Sequence, residues 1–157
     1  MVICGSSSTW PRALPSNPES WCHMAGYSGT SLTKKLGVKE GSHVLLVGAP
    51  IGYLSLLHPL PNGVHFASRI SDVTDVVHVF SARRVELQRM LVRYRQRLKS
   101  TGMIWVSWPK KSAKVPTDIT EDTVRELALP LGLVDVKVCA IDEVWSALKL
   151  VIRKELR

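Results

Sequence analysis

From Gly41 onward the apolar positions follow two alternating periods. The run HVLLVGAP (residues 43–50) is apolar until Gly48 and Pro50 close it, the pattern of a central strand buried on both faces. A short helix is expected over Tyr53 to Leu57. VHFASRI (64–70) and VVHVFSA (76–82) read as two further strands. GMIWVSWP (102–109) reads as another, opened by Gly102 and stopped by Pro109. Between the last two, Arg84 to Lys99 predicts a helix, because Leu87, Leu91, Tyr94 and Leu98 recur at i, i+4, i+7 and i+11. A second helix is expected where Val124, Leu127, Ala128 and Leu131 fall at i, i+3, i+4 and i+7, with Pro130 roughening its end. After Gly132, VKVCAI (136–141) and SALKLVIR (146–153) flank DEVW and predict a terminal antiparallel hairpin.

Strands alternating with helices specify an α/β layer structure: one Rossmann-like, mostly parallel sheet with helices packed on it and the hairpin at one edge. One join conflicts with simple alternation. Only Ser71 to Asp75 separate VHFASRI from VVHVF, whereas a parallel crossover takes about a dozen residues or more. The two are therefore not ordinary parallel neighbours. Either the first strand is very short, or it runs antiparallel, or an expected helix and strand are lost there.

Residues 1–23 are rich in serine and proline and show no hydrophobic period, so the α/β domain is expected to span 24–157. The preceding stretch reads as a disordered leader or as an upstream-start artefact with Met24 the natural start. Five tryptophans and 45% hydrophobic residues exclude a wholly disordered chain. Lysine and arginine number 21 against 13 acids, a formal charge of +8, which favours an anionic partner. Cys4, Cys22 and Cys139 have no paired spacing, so no disulfide framework is expected and a reducing, cytoplasmic compartment fits. The apolar runs are too short and too broken by glycine and proline to span a bilayer, and no membrane partner is expected.

In a parallel α/β sheet the loops after the strands gather at one edge, where ligands usually sit. Three such loops bring together Gly48 and Gly52 of the VGAPIG turn, Arg83 and Arg84, and Trp108, Lys110 and Lys111. The cations would form a rim for an anion, with Trp108 offering a flat face to a base or ring. VGAPIG itself matches no dinucleotide or P-loop pattern, and Pro50 removes an amide donor, so it reads as a plain tight turn in preference to a phosphate-binding one. Asp118, followed by Glu121, reads as a helix cap rather than a catalytic acid, with Thr120 as a second cap position. On the long helix Arg89, Arg93 and Arg97 recur every four residues, a spacing that suits phosphate contacts to nucleic acid as well as a plain solvated face. No catalytic set assembles. The histidines have no metal-ligand spacing, His78 in VVHVF reads as a satisfied sheet residue, Cys139 as a buried thiol, and Asp142 with Glu143 as turn residues.

The block MAGYSGTSLTKKLGVKEGSHVLLVGAP at the front and WPKKSAKVPTDITEDTVRELALPLGLVDVKVCAIDEVWSALKLVIRKELR at the back resembles the bacterial domain of unknown function 3052 family over Met24 to Arg157. Its most specific pieces are VPTDITE and DEVWSALKLV, and the resemblance implies a small cytoplasmic bacterial protein without an assigned activity. In element order and final hairpin the chain is also similar to the Rossmann-like class I methyltransferases, shortened in the middle. Those enzymes close the first strand with an acid and a G-x-G turn, which VGAPIG lacks, and no ribose-binding acid follows the second strand unless Asp72 serves late. The cofactor therefore stays unknown. The expectation is a non-enzymatic binding or regulatory domain for an anionic small molecule or partner. The alternatives are a divergent transferase using S-adenosylmethionine or a nucleotide with Trp108, Lys110 and Asp118, and a nucleic-acid binder using the arginine helix.

Overall fold

A computed structural model describes residues 31–157; the stretch assigned above to a leader, 1–23, lies outside them. In chain order the elements are α1 (Leu32–Leu36), β1 (His43–Val47), α2 (Tyr53–Leu56), β2 (His65–Ala67), β3 (Val76–Phe80), α3 (Arg84–Arg97), β4 (Met103–Pro109), α4 (Glu121–Ala128), β5 (Leu133–Ala140) and β6 (Trp145–Ile152). Single turns of 3₁₀ helix at Lys111–Ala113, Leu129–Leu131 and Lys154–Leu156 complete them.

The six strands form one sheet in the order β2-β1-β3-β4-β6-β5. β2, β1, β3 and β4 run parallel, β6 is antiparallel to β4, and β5 is antiparallel to β6. The fold is thus the α/β, Rossmann-like, mostly parallel sheet with a C-terminal hairpin that the periodicity predicts. The difficult join resolves physically. β2 keeps only three of the seven residues of VHFASRI, pairs parallel to β1 with His43 beside His65, and never meets β3. β3 lies on the other side of β1, with Val44 beside Val76. Residues 68–75 carry the chain past β1 without a helix, anchored by Ile70 in the core.

Both faces of the sheet are covered, which is why β3 is buried along its whole length. On one face Leu87, Leu91 and Tyr94 of α3 and Val124 and Leu127 of α4 pack on Val77, Val79, Ile104, Val106, Leu148 and Leu150. On the other, Leu32 and Leu36 of α1 and Tyr53 and Leu56 of α2 pack on Val44, Val76, Phe80, Trp105 and Ala147. Each valine, leucine, isoleucine or phenylalanine among them, removed from water, stabilises the fold by about 1.5–3 kcal/mol. The Trp105 indole also donates to the Leu36 carbonyl at 2.9 Å, tying α1 to the sheet centre.

The predicted helix boundaries shift by a few residues. α3 stops at Arg97 because Leu98 turns extended at ψ 129, yet Leu98 remains in the core. Thr120, the second of the two cap positions, starts α4: its Oγ1 accepts the Thr123 amide while Thr123 Oγ1 accepts the Thr120 amide. The periodicity does not predict α1. Its signature is short: Ser31 Oγ accepting the Lys34 amide, Leu32 and Leu36 four apart, and Gly37 behind them. Among the described residues no helix is long and apolar enough to cross a membrane.

Candidate functional site

Parallel β1, β3 and β4 end at one edge, and the predicted loops do converge there. Their contents differ from the expectation. Gly48 has φ 70, and a Cβ placed on it would lie 2.8 Å from the Phe80 carbonyl oxygen. The turn after β1 is therefore pressed against the end of β3, and glycine is there because nothing larger fits. Gly52, at φ 86, leads into α2, which is only four residues long. VGAPIG is a tight turn, closed by the Tyr53 amide donating to the Pro50 carbonyl at 3.1 Å.

After β3, Ser81 Oγ accepts the Arg83 amide at 3.2 Å, and Arg83 extends into solvent. Arg84 does not join a free rim. Its guanidinium donates to Glu126 at 3.0 Å, and its amide is held by Asp118 Oδ1 at 2.6 Å. Asp118 is thus a cap, as expected, but of α3 rather than of the helix that follows it in sequence. Thr117 Oγ1 donates to the Ala82 carbonyl at 2.8 Å, so the loop before α4 is clasped onto the turn before α3.

Trp108 corrects the prediction of a stacking platform. It is 7% exposed and packs in the core beneath α3 and α4, so its ring faces are taken by apolar side chains rather than open to a base. Beyond it, Lys110 is half-buried, and Lys111 and Lys114 are exposed. Sequence reasoning missed Lys114, although PKKSAK holds it as a third lysine in the same short stretch. Its φ of 56 is left-handed, a conformation that costs a non-glycine residue roughly 1–2 kcal/mol. Among the described residues Arg83, Lys110, Lys111 and Lys114 have no carboxylate within ion-pair distance. Lys110 does exert its charge on Asp142, whose carboxyl burial pushes up and whose bonds from the Trp145 and Val144 amides pull back down. Those two amides donate to Asp142 Oδ1 at 2.8 Å each, so Asp142 shapes the β5–β6 turn.

Beneath the edge lies a buried polar chain. Tyr53 Oη meets His78 Nδ1 at 2.8 Å, and His78 Nε2 meets Ser107 Oγ at 2.6 Å. His78 is satisfied at both ring nitrogens, as VVHVF suggests, and burial lowers its pKa to about 3, so it is neutral near pH 7. Burial raises the Tyr53 phenol well above its ordinary value, with Cys139 and Asp142 adding to it. Ser107 is fully buried. The chain joins a helix to two strands, and His78 and Ser107 within it are buried among the described residues. The hollow next to Tyr53 and His78, lined also by Leu36, Val44, Leu57 and Phe66, is about 10 Å³, room for about one water. Cys139 is half-buried and its thiol pKa is raised by burial, against the pull of Lys137 and Lys35, which suits an inert thiol rather than a nucleophile.

Arg89, Arg93 and Arg97 all lie on the exposed face of α3, and among the described residues none has an ion-pair partner. Arg93 sits 5.9 Å from the centre of the Tyr94 ring. The arginines line the outer face of the α3 layer, whereas Arg83 and the lysines stand at the sheet edge.

The fold is similar to solved methyltransferases at low sequence identity. A SAM-dependent methyltransferase from Aquifex aeolicus superposes with a TM-score of 0.55 at 13% identity, covering 88% of this chain and 100% of that one. The m1A22 tRNA methyltransferase of B. subtilis gives 0.53 at 10% identity, covering 90% and 68%. Aeropyrum pernix fibrillarin, solved with natively bound S-adenosyl-L-methionine, gives 0.50 at 15% identity, covering 73% and 68%. These likenesses establish the fold alone. Among curated proteins no sequence matches the chain. The model of a family described as protein of unknown function (DUF3052) matches residues 66–154, more than half of the sequence and nearly all of it from β2 through β6, and the chain belongs to that family.

Proposed function

We propose that this protein is a non-enzymatic binding or regulatory domain whose carboxyl sheet edge takes an anionic ligand or partner. The observation that carries the reading is the gathering of Arg83, Lys110, Lys111 and Lys114 on loops that converge at one sheet edge. Some cations find acids: Arg125 is bonded to Glu121, Asp122 and Asp135, Arg84 to Glu126, and Lys99 to Asp75, whereas among the described residues Arg89, Arg93 and Arg97 on α3 find none. At the edge Arg83, Lys110, Lys111 and Lys114 have none among the described residues. Unpaired cations held on converging loops raise the local concentration of an anion and steer it in.

The same edge offers little to a transferase. The glycine turn is closed against Phe80, Trp108 is buried, and Asp118 is occupied as a cap. Residues 68–69 directly after β2, where a ribose-binding acid would stand, are Ser68 and Arg69. Lysines present point charges without a fixed fork, which fits a flexible or extended polyanion better than a planar carboxylate.

The test is retention on immobilised short RNA across a salt series, comparing wild type with the triple variant Arg83→Ser, Lys110→Ser, Lys111→Ser. The variant should elute at clearly lower salt, with the slope of log affinity against log salt reduced by about one for each phosphate it no longer neutralises. An unchanged slope in the folded variant would remove the edge as the site. Calorimetric titration with S-adenosylmethionine separates the transferase reading: saturable micromolar binding would favour it and overturn the one proposed.

A further inference from the structure

A second concentration of positive charge lies on the α1 side of the sheet, away from the edge just described. Lys137 on β5 and Lys149 on β6 are directly opposite each other in the ladder, a placement in which like charges repel. Lys149 is also opposite Trp105 of β4, so its stem shares the face over which α1 ends. Lys137 Nζ reaches the same place and donates to the Lys35 carbonyl at 3.2 Å. Lys39 arrives from a third segment, the turn after α1, where its amide is fixed by Ser42 Oγ at 2.9 Å. The convergence is electrostatic as well as topological: burial lowers the Lys149 pKa, and the charges of Lys137 and Lys39 lower it further.

Among the described residues no carboxylate lies within ion-pair distance of Lys39, Lys137 or Lys149. Residues 1–30 contain a single acid, Glu19, so the remainder of the chain holds one negative side chain against three ammonium groups. Ser146 stands opposite Trp108 and Lys149 opposite Trp105, so the cluster sits three residues further along β6, roughly 10 Å from the level of Trp108. It is therefore separate from the loops that carry Arg83 and Lys110.

We propose that Lys39, Lys137 and Lys149 form a binding site for a phosphoryl group carrying two or more negative charges. Three ammonium groups from three segments put their charge on one face of the sheet, Lys137 and Lys149 side by side in the ladder and Lys39 close enough for its charge to act on Lys149, which suits a compact anion of high charge. A planar carboxylate would call instead for the forked donors of arginine. Bound phosphate would relieve the repulsion across the β5–β6 ladder, so occupancy stabilises the fold, by mass action, in proportion to the logarithm of ligand concentration.

The test is thermal unfolding of the full chain with pyrophosphate, against chloride at equal ionic strength. Wild type should gain Tm with pyrophosphate, and the triple variant at the carboxyl edge should keep that gain. Lys149→Met should unfold at a higher temperature than wild type without ligand, since it removes a partly buried like charge, and should bind pyrophosphate at least tenfold more weakly. Lys39→Gln, a surface change, should weaken binding in the same direction and guards against a misfolded variant. A Lys149→Met protein that responds as wild type does, or a wild type that does not respond at millimolar pyrophosphate, overturns the site. A gain lost only in the carboxyl-edge variant also overturns it and would move the phosphate to the other edge. Flotation with phosphatidylcholine vesicles bearing phosphatidylinositol phosphate then assigns the source. Capture that depends on Lys149 points to a lipid headgroup, and response to pyrophosphate without capture points to a soluble ligand.

Discussion

His78 is the side chain whose surroundings say most about its own chemistry. With Tyr53 at one ring nitrogen and Ser107 at the other, it stays neutral down to a pKa of about 3, against an ordinary value near 6.5. Above pH 6.5 neither the folded nor the unfolded chain is protonated there, and His78 contributes no pH dependence. As pH falls from 6.5 toward 3, the unfolded chain takes up a proton that the fold refuses, and stability declines across that window. His78→Gln should therefore bind about one proton fewer on unfolding between pH 6 and 4 than wild type, measured from denaturant midpoints across pH; an unchanged proton count would contradict the buried neutral ring. The sequence shows this residue in outline, because a histidine inside VVHVF has apolar neighbours on both sides. It does not show Tyr53 as the partner, since that bond joins residues 25 apart. The same limit explains Trp108: an aromatic at a strand end reads as available until α3 and α4 are seen to cover it.

At the scale of elements, the clasp between the loop before α4 and the turn before α3 is the feature that periodicity could not reveal. Asp118 lies where a cap for its own helix is expected, but that place is filled by Thr120, and the carboxylate crosses to the Arg84 amide. Asp118→Ala should thus fray the first turn of α3, not α4, at a cost of about 0.5–2 kcal/mol. Faster amide exchange at Arg84 to Glu86 with α4 unchanged would confirm the assignment, and the reverse pattern would refute it. Long stripes such as Leu87, Leu91 and Tyr94 were legible because a whole face repeats. α1 was not, since five residues hold too little of a period to register; β2 was legible as a strand, and a very short one was among the expected answers to the join, but its three-residue extent was not. The outer strand β5 shows a further element-level device. A register shift between Asp135 and Lys137 interrupts its ladder, and the two charges flank the break, which disfavours pairing of this open edge with another chain.

Across the whole molecule, the apolar pattern determines the architecture and the charge pattern determines what the surface can meet. The +8 excess is not spread evenly: acids collect around Arg125, while cations stand alone at the carboxyl edge and beneath α1. A basic sheet edge was legible as a candidate, but which of its cations are ion-paired was not, because Arg84 finds Glu126 across 42 residues. The helix-free passage from β2 to β3 has a kinetic meaning of its own. With three residues that, among the described residues, are paired on one side only, β2 can detach by a local opening that leaves the two core layers intact, whereas Val77 and Val79 become exposed only when the entire sheet comes apart. Native-state hydrogen exchange should accordingly place the amides of His65 and Ala67, which face β1, well below the global unfolding free energy and those of Val77 and Val79 at it. Equal protection of the two strands would mean that the sheet opens as one unit. Unequal protection would make the β2 border the place where this fold first lets in solvent.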